Sequence, residues 1–196
     1  IPRGGLRDKV LGFDTGPGMC LIDKVSKIYF NKPYDKDGTL SRKGNINKSL
    51  LDKLMLDPFL YRIPPKSTDI QYYFDFILKQ IIDSDINIEK HDLIRTLVEY
   101  TIDSITYNIL KFVNLNVNQI EIIYSGGGTE HPLIIEGLKN KGFCCKSISS
   151  KGIDSSIKEA FLMAVLGFCR LNKIDSNMIS ATGAKKYLSL GDIYDK

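Results

Sequence analysis

Between Asn118 and Leu171 the sequence switches repeatedly between two periods, and this alternation constrains the fold more than any other feature. Ile120 to Tyr124 is an apolar run of strand length, followed by Ser125-Gly126-Gly127-Gly128-Thr129 as a flexible turn. Pro132 suits an early helix position, and Leu133, Ile134 and Leu138 then recur at helical spacing. Phe143 to Ile148 reads as another strand, and Ile157 to Leu171 as a helix rich in Ala, Leu and Met. A β-α-β-α order predicts an α/β sheet with helices packed on it.

The beginning of the chain repeats the theme. Lys9 to Phe13 is a short apolar run, stopped by Asp14-Thr15-Gly16-Pro17-Gly18, where two glycines and a proline force a turn. Leu21, Ile22, Val25, Ile28 and Tyr29 follow at helical spacing. Strand, glycine turn and helix in that order place backbone N–H groups and a helix N-terminus beside the Asp14 carboxylate. Ahead of this run, Ile1-Pro2-Arg3-Gly4-Gly5 reads as the tip of a hairpin rather than as a natural start.

The middle of the chain is helical in pattern. Ile46, Leu50, Leu51, Leu54 and Met55 share one face, which Asp57-Pro58 closes, and Pro64-Pro65-Lys66-Ser67-Thr68 forms a rigid polar connection. Asp69 is placed to cap a helix carrying Tyr73, Phe74, Ile77, Leu78 and Ile81. A longer helix over 90–113 is predicted from Leu93, Leu97, Ile105, Ile109 and Phe112, with Thr101 interrupting the stripe. No internal repeat or low-complexity stretch is visible.

With 196 residues, 43% of them hydrophobic, the chain can bury a substantial core without disulfides or metals. Its 27 basic and 23 acidic side chains leave a formal charge of +4 with no block of like charge, so neither a nucleic-acid partner nor a polyanion is implied. A small anionic ligand such as a nucleotide fits this balance. No apolar run approaches the ~18 residues needed to cross a bilayer, and the opening residues carry no signal-peptide core. The expectation is a soluble, cytoplasmic protein without a membrane partner. Cys20, Cys144, Cys145 and Cys169 lack CxxC pairing and read as buried free thiols, with Cys144 and Cys145 pointing to opposite faces of their strand.

Four stretches carry candidate chemistry. Asp14, at a strand end beside glycines, is poised to take a proton from a bound hydroxyl or water; the bland alternative is a carboxylate bonded to its own turn amides. Gly126, Gly127 and Gly128 leave room for a nucleotide against bare backbone at a β-to-α junction, where α/β sheets bind ligands, although such a triplet is often only a loop. Lys66-Ser67-Thr68 offers a cation and two hydroxyls to a phosphate or sugar oxygen, or is simply a solvated helix entry. Glu159, in the first turn of its helix, is placed favourably for the dipole and is not otherwise marked. His91 and His131 are far apart in sequence, which argues against a His-based metal site, and no metal ligand is assigned.

Taken in order, these stretches resemble anhydro-N-acetylmuramic acid kinase. The matching pieces are Gly-Phe-Asp-Thr-Gly-Pro-Gly at 12–18, Lys-Pro-Tyr-Asp-Lys-Asp-Gly at 32–38, Asp-Pro-Phe at 57–59 and Pro-Pro-Lys-Ser-Thr at 64–68. Ser-Gly-Gly-Gly at 125–128, Lys-Glu-Ala-Phe at 158–161 and Ala-Thr-Gly-Ala at 181–184 complete the series. The resemblance implies a sugar kinase of the hexokinase and actin superfamily, in which two ribonuclease-H-like domains close around ATP and substrate. It implies that 1,6-anhydro-N-acetylmuramic acid, water and ATP give N-acetylmuramic acid 6-phosphate and ADP in peptidoglycan recycling, with Mg²⁺ assisting. By the same resemblance Asp14 is the base, Thr15, Gly16 and Glu159 touch the sugar, and Gly126 to Gly128 line the nucleotide site.

The resemblance also sets expectations about extent. The family's Gly-Thr-Ser-x-Asp-Gly phosphate loop lies in an N-terminal domain and has no counterpart in these 196 residues. The chain is therefore expected to be a C-terminal half, residues 1–196. Its fold would be an α/β, ribonuclease-H-like second domain that lacks its first strand, exposes a sheet edge and carries a helical insertion at about 40–115. A separately encoded N-terminal half and a homodimer are the partners this reading allows. Met19 stands where the family usually has Asn, Asp69-Ile70-Gln71 where Gly-Arg-Glu is usual, and His131 near an expected Asn. Three other readings stay open at this point: an inactive remnant of such a kinase, a kinase for a related amino sugar, and an aspartic-protease-like hydrolase suggested by Asp14-Thr15-Gly16. Pro17 and the helical patterns weigh against the last.

Overall fold

A computed structural model describes residues 10–82 and 87–194. The Ile1–Gly5 hairpin expectation, and Lys9 at the start of the first predicted strand, lie outside these residues. The described chain divides into two compact units, Thr15–Arg62 with Thr68–Ile148, and the flanking segments up to Asp14, Ile63–Ser67 and from Ser149 onward.

In the larger unit, α1 (Cys20–Phe30) follows the glycine turn and buries Leu21, Ile22 and Val25, while Ile28 and Tyr29, predicted on its apolar face, are exposed. Three short helices come next. The first, α2 (Lys48–Leu54), starts where the Asn47 side chain accepts from Leu50 N at 3.0 Å. Asp57 then caps α3 (Pro58–Tyr61), so Asp57-Pro58 opens a helix as well as closing the preceding one. Asp69 caps α4 (Ile70–Tyr72) as predicted, through Tyr72 N at 2.8 Å. The chain runs on through a π-helix (Tyr73–Leu78) into α5 (Lys79–Ile82), burying Tyr73, Ile77, Leu78 and Ile81.

The centre of this unit is α6 (Lys90–Phe112). Leu93, Ile94, Leu97, Val98, Tyr100 and Ile102 are all buried, on several sides of the helix rather than along one stripe, because α1, α2, α3 and α7 (Pro132–Asn140) pack around it. Beyond α6, β1 (Glu121–Tyr124) pairs in parallel with β2 (Cys144–Ser147), with Glu121 opposite Cys144 and Tyr124 opposite Ser147. Helix α7 connects them, as the alternating pattern predicts. The α/β class is thus present in a β-α-β unit at the end of a helical body.

The smaller unit contains α8 (Lys158–Leu171) and α9 (Ile179–Thr182). Val10–Phe13 forms no strand among the described residues. The run is tied down singly instead: Ser180 Oγ donates to Val10 O at 2.8 Å, Gly12 lies against Ala181, and Asp14 N donates to Lys66 O at 3.1 Å. A lone segment bonded at scattered points has no ladder to make it a strand. Helix α8 is helical where predicted, yet none of its residues is buried, and Phe168 and Leu171 are 62% and 72% exposed. The cysteines also depart from expectation. All four are free, but Cys144 is exposed and Cys20, Cys145 and Cys169 are only half-buried; Cys144 and Cys145 lie on β2, whose one neighbour among the described residues is β1. Among the described residues no helix is long and apolar enough to cross a membrane.

One buried carboxylate ties three helices of the larger unit together. Asp57 accepts from Phe59 N at 2.9 Å, from Tyr100 OH on α6 at 2.9 Å, and from Tyr72 OH on α4. Burial, with the Asp57 charge adding to it, pushes the Tyr72 hydroxyl up to about 12 and raises that of Tyr100 further. Asp57→Ala is expected to cost about 3 kcal/mol, since it strands a buried tyrosine hydroxyl and removes a helix cap; urea denaturation of the variant against wild type measures it.

Candidate functional site

The glycine turn that follows Asp14 is held by α6. Thr101 Oγ1 donates to Gly18 O at 2.8 Å, and Asn108 Nδ2 donates to Thr15 O at 3.1 Å. Between these two bonds the helix passes so close to Gly16 that a Cβ there would lie 2.4 Å from Ser104 Oγ and 2.8 Å from Ser104 Cβ. Thr101, Ser104 and Asn108 are buried at spacings of three and four residues and form one polar edge of the helix. The apparent interruption of the stripe at Thr101 is the hydrogen bond that fixes the turn. From there Cys20 N bonds Pro17 O at 3.2 Å and α1 begins.

Asp14 belongs to the smaller unit and is exposed. Its backbone is anchored by Lys66, whose side chain is 8% exposed and lies with Nζ 5.7 Å from the Phe13 ring centroid. Lys66 is therefore a packed residue and not a solvated helix entry: its stem lies along apolar surface. Glu159 is exposed in the first turn of α8, the dipole-favoured position expected.

The glycine triplet follows the carboxyl end of β1. Gly126 has φ of 95°, which favours glycine, and leads into a short 3-10 turn over 127–130. Gly127 and Gly128 line a cavity of about 420 Å³ together with Met19 and Asp23 of α1, the 33–37 loop and His131. Met19 closes on the triplet: a Cβ at Gly128 would lie 2.9 Å from Met19 Cγ. The position where Asn is usual thus presents an apolar thioether to the turn.

The cavity's inner wall is an Asp–His pair that the sequence did not reveal, since its members lie 96 residues apart. Asp35 Oδ1 accepts from Leu40 N at 2.7 Å, and Oδ2 accepts from Ser41 N at 3.0 Å, Ser41 Oγ at 2.6 Å and His131 Nε2 at 3.2 Å. Burial works against the Asp35 charge, but the bonds from His131, Ser41 and the two backbone amides outweigh it and hold the carboxyl down at about 2. Asp23 is raised instead, chiefly by burial, with His131 opposing and Asp35 adding to the shift. Asp35 sits within the Lys-Pro-Tyr-Asp-Lys-Asp-Gly piece, whose patterned spacing was its only sequence signal. Among the described residues no group of three His, Cys, Asp or Glu is placed to hold a metal ion.

A β-α-β unit that opens a glycine turn and an ionised carboxylate onto a cavity beyond its first strand has the build of an α/β small-ligand-binding protein. Comparison with known proteins narrows this class. The family described as anhydro-N-acetylmuramic acid kinase matches residues 6–196. The relative of that name from Clostridioides difficile is 36% identical over 198 residues, covering 100% of this chain and 52% of that protein. Those from Bacillus cereus strain AH187 and Vibrio parahaemolyticus are 32% and 33% identical, covering 98% and 95% of this chain and 52% and 50% of theirs. The chain belongs to the anhydro-N-acetylmuramic acid kinase family, and it spans about half the length of the curated relatives it matches. Membership removes the aspartic-protease-like reading of Asp14-Thr15-Gly16.

Two outcomes test this geometry. Gly16→Ala is expected to cost about 1–3 kcal/mol through overpacking, and less in a Ser104→Gly background; a double-mutant cycle from denaturation midpoints reads that coupling. Asp35 has a folded value of about 2 against an ordinary 3.8, so its stabilisation is complete above the ordinary value and disappears as pH falls through the folded one. Asp35→Asn should therefore lose about 2 kcal/mol at neutral pH and converge with wild type near pH 2, measured by urea denaturation across that range.

Proposed function

We propose that this chain supplies the base and the nucleotide-facing turn of an ATP-dependent sugar kinase. The reaction takes 1,6-anhydro-N-acetylmuramic acid, water and ATP to N-acetylmuramic acid 6-phosphate and ADP, a step of peptidoglycan recycling. Water adds at C1, the bond from C1 to O6 breaks, O6 takes the γ-phosphoryl group, and Asp14 accepts the proton released by the water. An ionised carboxylate within hydrogen-bond reach of water is suited to that task. Thr15, Gly16 and Glu159 contact the sugar, and Gly126, Gly127 and Gly128 line the nucleotide site.

The observation that carries the reading is family membership across residues 6–196; within the larger unit the 15–18 turn is bonded by Thr101 and Asn108. Phosphoryl transfer depends on positioning more than on covalent chemistry, and a fixed turn supplies positioning. Mg²⁺ fits as a companion of the nucleotide phosphates, since it is held by one or two carboxylates plus phosphate oxygens and does not need a protein cage. When bound it neutralises charge on the transferring group.

In this reading the fold is a ribonuclease-H-like second domain with a helical insertion at about 40–115. The remaining half of the relatives' length supplies the phosphate loop, encoded in the same chain or separately, and the protein acts in the cytoplasm, with a homodimer as one assembly. The test is ADP release from Mg-ATP and the anhydro sugar by this chain alone, then with a family N-terminal half added, each against Asp14→Asn. Turnover is expected only with the added half, and Asp14→Asn is expected to lower it by about 10²–10⁴-fold. Folded protein that binds nucleotide but turns over in neither mixture would leave an inactive remnant in place of a kinase.

A further inference from the structure

Two residues that line the cavity beside the glycine triplet each have a buried polar atom that the protein itself does not satisfy. His131 is 2% exposed and its Nδ1 is buried without a hydrogen-bond partner, as is Asp23 Oδ1. Both residues line the same cavity, with Gly127 and Gly128. Buried polar atoms are ordinarily paired, so two at one cavity mark a place where something else makes the bonds.

The chemistry of that ligand group follows from the two atoms. Asp35 is held ionised and accepts only, so His131 Nε2 carries the hydrogen between them. His131 Nδ1 then presents a lone pair when the ring is neutral and an N–H when it is charged. Asp23 Oδ1 asks for a donor. An ammonium donates but cannot accept from a charged imidazole, whereas a hydroxyl does both. A phosphate in this cavity would meet Asp23, Asp35 and Asp37 against Lys36 and His131. A pair of neighbouring hydroxyls satisfies both atoms in either state of the ring.

We propose that Asp23 and His131 bind the vicinal hydroxyls of the nucleotide's ribose, with the glycine triplet as the wall against which the nucleotide lies. This rests on the nucleotide reading of Gly126 to Gly128. Ribose is favoured over the sugar substrate as the source of the hydroxyls because the cavity opens at the turn after β1, where α/β sheets receive their ligands, and that turn is the nucleotide's. In this proposal His131 acts as a specificity residue, standing near a position where the family resemblance puts Asn.

The experiment is calorimetric titration of the chain with ADP, with 2′,3′-dideoxy-ADP and with 1,6-anhydro-N-acetylmuramic acid. Wild type, Asp23→Ala, Asp23→Asn and His131→Phe are compared, each checked for folding by circular dichroism. Wild type is expected to prefer ADP over the dideoxy form by about 10-fold or more, as for a hydrogen bond to a charged group. Asp23→Ala should bring the two nucleotides within about twofold by weakening ADP alone, and His131→Phe should narrow the gap in the same way. Asp23→Asn keeps a carbonyl acceptor and should fall between, which preserves the test if the alanine variant does not fold. ADP binding with an unchanged preference in the Asp23 variants would overturn the ribose assignment while leaving the nucleotide reading intact. No nucleotide binding by folded wild type would sink both. Binding of the anhydro sugar that depends on Asp23, with ADP indifferent to it, would reassign the hydroxyls to the sugar and overturn the proposal.

Discussion

The larger unit depends on one close approach, the passage of α6 against the 15–18 turn. Ser104 comes near enough to Gly16 that no side chain fits there, and Thr101 and Asn108 bond the carbonyls on either side. This contact sets where α1 starts, and α1 in turn carries Met19 and Asp23 to the cavity wall. A buried helix with a polar edge would ordinarily be destabilising. Here each polar group has an acceptor from the turn or from the helix itself, so the edge fixes register instead of costing stability.

Two buried carboxylates perform related work in different ways. Asp57 joins α3, α4 and α6 through hydroxyl and amide donors. Asp35 combines amide, hydroxyl and imidazole donors, and by holding the His131 ring through one nitrogen it fixes the direction of the other. Both residues occur in short motifs, Asp-Pro-Phe at 57–59 and Lys-Pro-Tyr-Asp-Lys-Asp-Gly at 32–38. Their role in the fold lies in the distant groups they gather, 43 residues away for Tyr100 and 96 for His131.

What could be read from the sequence was what depends on neighbours along the chain. The β-α-β order, the caps at Asp69 and the early-helix Pro132 follow from local period and local hydrogen bonding, and the structure has them. Features set by contacts between distant segments could not be read. Thr101 looked like a flaw in a stripe, Lys66 like a solvated cation, and His131 like an isolated histidine. Val10–Phe13 has a strand's composition but no ladder among the described residues, since a strand is defined by what pairs with it. The candidate residues themselves, Asp14, the triplet and Glu159, came from motif order. That order nominates residues without giving their geometry.

The exposure of α8 bears on the order in which this protein assembles. This 14-residue helix has no fully buried side chain, with Leu166, Cys169 and Arg170 half-buried, and a helix of that length is by itself only marginally stable in water. Its hydrogen bonds should open without unfolding the larger unit, as a separate cooperative step. Glu159 sits in its first turn, so the carboxylate is oriented only while the helix is wound. Time spent unwound is time in which that side chain has no fixed direction, and the readiness of this part of the molecule is governed by a local winding equilibrium.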